Sequence, residues 1–240
     1  MIELLNIDCR EYMSKCENKT FDLAIVDPPY GIGPTWTKSK KDTMYLHRSK
    51  YTNHEKVTKE FIDELFRVSN NQIIFGFNYF SHLLPETNSI IIWDKVRDVE
   101  KTFMSEAELA WTSYKIPCRI FRYQWDGAKK CGETGTKKIH PFQKPVALYK
   151  WILKKYARKN MRIIDTHLGS ASSAIAAYYF GCDFVGCESD EIHYSTAVKR
   201  FNNETLQTQA RFLNSPGLEQ TVMSEGEKIK SLPVTVSNVT

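Results

Sequence analysis

Met161-Arg-Ile-Ile-Asp165, Thr166-His-Leu-Gly-Ser170, Ala171–Phe180 and Asp183–Cys187 with Glu188 are successive pieces whose reading decides the fold. The first is a short apolar run of strand type closed by an acid. The second is a small polar turn with one glycine. The third is rich in alanine and reads as a helix, with Gly181 at the position that usually ends one. The fourth is another apolar strand, and its terminal acid Glu188 stands 23 positions after Asp165. Strand, turn, helix and strand form a βαβ unit, which calls for a parallel sheet covered by helices.

Working outward, the same alternation covers most of the chain. Strands are expected at Ile2–Ile7, Phe21–Val26, Gln72–Phe75, Ser89–Trp93 and Glu108–Thr112, which with the two above makes seven. Helices are expected near Arg10–Cys16, at Val57–Val68, near Tyr79–Leu84, at Val146–Tyr156 and at Glu191–Asn202. The clearest stripes are Val57, Phe61, Leu65 and Val68 on one helix and Leu148, Ile152 and Tyr156 on another. The expected fold class is α/β, a mostly parallel seven-stranded sheet with helices on both faces. Residues 1–213 read as a single domain. Residues 31–53 are polar and aperiodic, so a long active-site loop is expected there. Residues 214–240 give no strong element and read as a loosely ordered tail.

With 240 residues, 42% of them hydrophobic and 12% aromatic, the chain can bury a sizeable core. No apolar stretch approaches the ~20 residues that span a bilayer. The start Met1-Ile-Glu-Leu-Leu5 lacks the basic residues and cleavage site of a secretion signal, so a cytoplasmic protein without membrane contact is expected. Six scattered cysteines without a C-x-x-C pair, and histidines without ligand spacing, lead to no metal assignment.

The net charge of +5 is concentrated. Between Thr112 and Lys138 stand Lys115, Arg119, Arg122, Lys129, Lys130, Lys137 and Lys138 against only Asp126 and Glu133, which equals the whole chain's excess. A second basic stretch holds Lys38, Lys40 and Lys41 and runs on through Arg48 and Lys50. Two such stretches point to a polyanionic partner.

The second stretch follows Asp27-Pro28-Pro29-Tyr30, which directly caps the strand Phe21–Val26. An acid at the mouth of a buried strand can accept protons from an amino group. The prolines hold the neighbouring carbonyls rigid, and a tyrosine offers a flat face to a planar ring. Those three parts suit an exocyclic amino group on a nucleobase. The βαβ unit suits a ribose-bearing ligand, since a glycine lets a ligand approach backbone amides and a strand-end acid accepts from ribose hydroxyls. The G-x-G-x-x-G of pyrophosphate binders is absent, which argues against a nicotinamide cofactor.

Asp27-Pro-Pro-Tyr30, Asp165-Thr-His-Leu-Gly-Ser-Ala-Ser172 with Glu188, and His140-Pro-Phe-Gln-Lys-Pro145 together resemble the S-adenosylmethionine-dependent amino-methyltransferases of DNA. The order, catalytic motif first, basic target-recognition region at 112–138 and cofactor loop last, is similar to that family's β group, in phage-like or solitary bacterial form. The resemblance spans about residues 1–202 and implies a Rossmann-like methyltransferase fold. It implies S-adenosylmethionine as cofactor and DNA as partner, and it is compatible with a homodimer.

Carried over, the resemblance makes Asp27, with the Pro28 carbonyl, the acceptor for the target amino group, and makes Tyr30 a stacking partner of a flipped base. Pro29 completes the motif. Asp8 with Cys9 would meet the cofactor's adenine, and Glu188 its ribose hydroxyls. Asp165, Gly169, Ser170 and Lys144 would surround the methionine part, the lysine as partner of its carboxylate, with His167 in the pocket wall and Asp27 also bordering the cofactor. Lys38, Lys40, Lys41, Arg119, Arg122, Lys129, Lys130, Lys137 and Lys138 would meet DNA. The family usually carries Phe at position 167, a second Gly at 171 and Thr at 172. Asp as first residue of the tetrapeptide favours adenine N6 over cytosine N4. Competing readings are N4 methylation, an RNA or protein amino-methyltransferase, and a non-catalytic DNA-binding partner of the same fold.

Overall fold

A computed structural model describes residues 1–31, 56–97, 105–126, 129–131, 138–140, 142–213 and 234–238. The strands are β1 (Ile2–Asn6), β2 (Phe21–Val26), β3 (Ser69–Phe75), β4 (Ile90–Asp94), β5 (Ala107–Thr112), β6 (Arg119–Arg122), β7 (Trp125–Asp126), β8 (Lys129–Lys130), β9 (Arg162–Asp165), β10 (Asp183–Glu188) and β11 (Val234–Asn238). Nine of them form the central sheet, in the order β11-β1-β10-β9-β2-β3-β5-β4-β6. The other two, β7 and β8, pair as a separate ribbon. Within the central sheet only β5 runs against its neighbours.

Side chains alternate through the sheet and feed two cores. Leu23 and Ile25 of β2 face one, and Ala24 and Val26 face the other. The first core is covered by α3 (Val146–Tyr156), α4 (Ser172–Phe180) and α5 (Glu191–Leu213), the second by α1 (Cys9–Ser14) and α2 (Lys59–Val68). Both α1 and α2 begin on side-chain caps: Asp8 accepts from the Arg10 amide and Thr58 from the Phe61 amide. The α4 helix is buried almost all round, and its alanines let it pack closely on the sheet and on α3. Its start is strained: Ala171 has φ of 60°, a left-handed conformation that costs an L-residue ~1–2 kcal/mol. A glycine there carries no such cost.

The seven expected strands are present, and two more flank them. Arg119–Arg122, in a segment whose sequence reads as an irregular insertion, extends the sheet beside β4. Phe121 anchors it by packing on Trp151, at 5.4 Å between ring centroids, while Arg119, Ile120 and Arg122 point outward. Val234–Asn238, in the stretch that reads as a loose tail, pairs in parallel with β1 at the other edge. Both are edge strands of mixed sequence, so they lack the apolar run that betrays an interior strand. The helix expected near Tyr79–Leu84 is two 3₁₀ turns, Phe77–Tyr79 and Ser81–Leu83, in a stretch that ends at Pro85.

Strand order places the crevice. From β2 the chain proceeds to β3 on one side, whereas from β9 it proceeds to β10 on the other, although β2 and β9 are themselves neighbours. Ligands of open α/β sheets bind at such a reversal, beyond the carboxyl ends of the strands.

Candidate active site

Four acids project from that end of the sheet: Asp8 after β1, Asp27 after β2, Asp165 closing β9 and Glu188 closing β10. The β2–β9 pairing brings the Asp-Pro-Pro-Tyr turn beside the Thr166–Ser170 turn, from opposite halves of the sequence. One cavity opens between them. Its walls include Asp8, Cys9, Pro28, Pro29, Phe61, Thr166, His167 and Glu188. Gly31 and Lys56, described residues on either side of the segment between them, touch at its rim. Most of the expected loop at 31–53 lies outside the described residues.

Asp27 is engaged at both oxygens. Tyr30 donates its hydroxyl to Oδ1 and the Lys144 ammonium pairs with Oδ2. Lys144, only 5% exposed, also stands 3.0 Å from Glu108 Oε2, and Lys95 Nζ lies 2.6 Å from Glu108 Oε1. The Lys144 ammonium sits 4.9 Å from the Phe75 ring centroid as well. Four charges thus alternate in sign along a line, Asp27, Lys144, Glu108 and Lys95, whose lysines are buried and whose acids are partly buried. Burial alone would raise the Glu108 carboxyl, but the two lysines outweigh it and hold it at about 2. Burial disfavours the Lys144 charge, and its two acidic partners outweigh that and raise it. The sequence reading gives Lys144 a cofactor carboxylate as partner; in the structure its ammonium, from the segment just before α3, reaches Asp27 and Glu108.

Tyr30 lies face to face with Tyr79, at 5.1 Å and 16° between rings. Such a pair contributes ~0.5–1.5 kcal/mol beyond its buried area. On the β3 side Gly76 adopts φ of 69°, and a Cβ there would fall 1.9 Å from the Tyr30 ring. Backbone and tyrosine therefore occupy the same small space, and only glycine leaves room. Burial, with the Asp27 charge next, raises the Tyr30 hydroxyl far above its ordinary range, so it stays a proton donor.

Across the cavity, Glu188 accepts from the Gly169 amide (2.9 Å) and the Asp190 amide (3.1 Å). Burial raises this carboxyl, and the two amides oppose the rise. Gly169 has φ of 53°, which aims its N–H at Glu188. Asp165 is 1% exposed and bonds to the Ser173 hydroxyl (2.6 Å) and the His167 amide (3.0 Å). Burial dominates there and lifts its carboxyl to about 7. His167 meets Phe61 edge-on at 5.6 Å, and burial lowers it to about 4, so it is a neutral wall at ordinary pH. Asp8 is shared with Arg10 at 3.1 Å, and burial pushes the Cys9 thiol up to about 12. Ser170 turns away from the cavity: its hydroxyl meets that of Ser172 at 3.1 Å, and Arg200 binds its carbonyl at 2.8 Å.

Of the basic residues, Arg119 and Arg122 are exposed on β6, with Arg122 3.4 Å from Asp94. Lys138 lies over the Trp125 ring at 5.6 Å. Lys129 and Lys130 form β8, whose backbone alone is described, and Lys38, Lys40, Lys41 and Lys137 lie outside the described residues. Glu108, Gly76, Tyr79 and Arg200 belong to no motif of the sequence. A lone acid in an apolar strand, Ala107–Thr112, is the one available signal for Glu108.

A family model described as DNA methylase matches residues 92–199. This match and the fold make the chain similar to the S-adenosylmethionine-dependent DNA amino-methyltransferases. Among particular relatives, the type II methyltransferase M.HpaI of Haemophilus parainfluenzae is 20% identical over 232 residues, which cover 80% of this chain and 71% of that protein. The crystal structure of the M1.HpyAVI–SAM complex superposes with a TM-score of 0.56 at 20% identity, over 84% of this chain and 100% of that one. TTHA0409 from Thermus thermophilus, complexed with S-adenosyl-L-methionine, gives 0.57 at 16%, over 99% and 100%. The cytosine-N4-specific PvuII DNA methyltransferase gives 0.57 at 13%, over 88% and 92%.

Proposed function

We propose that the protein transfers the methyl group of S-adenosylmethionine to the exocyclic amino group of a flipped DNA base, with adenine N6 as the target. The observation that carries this reading is the shared cavity: the prolines of the Asp27 turn and the ribose-type acid Glu188 line one space at the reversal of strand order.

The residues fit the cofactor. Phe61, Pro28 and neutral His167 offer flat apolar walls for an adenine, and Asp8 stands at the edge where its amino group would lie. Glu188 keeps lone pairs for ribose hydroxyls, since each of its oxygens accepts one amide. S-adenosylmethionine supplies, when bound, an electrophilic methyl carbon on a sulfonium leaving group.

Asp27 and the Pro28 carbonyl would accept both amino protons of the base, drawing its nitrogen toward tetrahedral geometry and exposing the lone pair. Positioning and electrostatics supply the effect without prior removal of a proton, and the methylated nitrogen, then cationic, would release its extra proton to Asp27. Tyr30 and Tyr79 form the aromatic platform beside Asp27 on which a flipped base would stack. The basic stretches would bind phosphates.

Cytosine N4 is the second reading, favoured by the likeness to the cytosine-N4-specific PvuII enzyme. Incubation with methyl-labelled cofactor and DNA, RNA or protein, followed by nucleoside analysis, tests both. Label in N6-methyladenine is expected. Label in N4-methylcytosine selects the second reading, and label only in RNA or protein refutes both. DNA binding without cofactor consumption, unaltered in Asp27→Ala, would identify a non-catalytic partner.

A further inference from the structure

The proposed role of Asp27 requires an oxygen free to accept from a base, yet both of its oxygens hold protein donors. The Tyr30 hydroxyl can turn about its C–O bond. The buried Lys144 ammonium cannot leave Asp27 for water, so it needs another anion within reach. Glu108 is that anion. It stands 3.0 Å from Lys144 Nζ, and Lys95, at 2.6 Å from its other oxygen, shares its charge.

We propose, resting on the methyl-transfer reading above, that Glu108 is a positioning residue: it shares Lys144 with Asp27 and receives the ammonium when a base amino group takes its place. The four charges sum to zero as they stand. Without the Glu108 charge, Lys144 has Asp27 alone as its anionic partner and clamps it. An excess positive charge also remains beside a nitrogen that becomes cationic as the methyl group arrives. Both effects oppose transfer, and neither touches the cavity around Glu188, where the adenosine part would bind.

The test compares wild type, Glu108→Gln, Glu108→Asp and Lys144→Met. It measures single-turnover methyl transfer to unmethylated DNA and Kd for S-adenosylhomocysteine, with thermal melting as a check of folding. Glu108→Gln is expected to slow transfer about 100-fold while leaving Kd within about threefold of wild type. Glu108→Asp, which keeps the charge, should recover at least about tenfold of that loss. Lys144→Met should leave Kd within about threefold, whereas a lysine that binds the cofactor carboxylate would weaken it about tenfold or more. Should Glu108→Gln fail to fold, Lys95→Met decides. It leaves Glu108 wholly to Lys144, so transfer should quicken, and slowing would overturn the proposal. Transfer by Glu108→Gln at the wild-type rate also overturns it. If wild type itself transfers no methyl group to DNA, the functional reading fails instead.

Discussion

Asp165 is costly where it stands: it is buried, with a hydroxyl and one amide as partners among the described residues, and desolvation raises its carboxyl from the ordinary 3.8 to about 7. Between those values the folded protein keeps the proton while the unfolded chain releases it. The unfolded state then binds fewer protons, so stability falls as pH rises through this window. Asp165→Asn, of equal size and unable to ionise, should lose that fall. Urea midpoints at about pH 5 and about pH 8 measure it: wild type should drop more than the variant, and equal drops would show that Asp165 ionises freely. At Ala171 the cost lies in the backbone, which bears a conformation better suited to glycine.

At the scale of elements, the turn after β3 governs Tyr30. Gly76→Ala would place a methyl group inside the Tyr30 ring at a positive φ, so the ring must move and its bond to Asp27 must break. The variant should lose ~2 kcal/mol or more of stability. It should also slow methyl transfer more than about tenfold (about 1.4 kcal/mol in barrier). A melt and a rate near wild type would mean that Tyr30 is not fixed from this side. This turn also marks where sequence reading stops. The seven interior strands are legible because continuous apolar runs end at acids or turn residues, and Asp27 and Glu188 are legible as those ends. The edge strands are not, because Arg119-Ile-Phe-Arg122 and Val234–Asn238 carry mixed sequences that pairing alone makes strands. Nor is the Lys144–Glu108–Lys95 line, whose members come from three separate elements and meet only when the sheet assembles.

Across the whole molecule, the charge excess and the cavity would serve one ligand, DNA. Arg119 is exposed on the edge strand β6, within the segment whose excess equals the net +5 of the chain. Neutralising one phosphate contact should reduce the salt slope of DNA binding by about 1, so Arg119→Ala should weaken binding by a similar factor on all sequences. Fluorescence titration of labelled duplexes at several salt concentrations reads this slope, and an unchanged slope would remove Arg119 from the interface. The claim joining all scales is that Asp27 receives the amino group of a base while Glu188 holds the methyl donor. The most direct measurement is transfer of labelled methyl to DNA by wild type and by Asp27→Ala, with Kd for S-adenosylhomocysteine determined for both. The account predicts label in N6-methyladenine with wild type, a loss of at least about 100-fold with Asp27→Ala, and similar Kd values. Equal transfer by the two proteins, or no label in DNA from wild type, would contradict it.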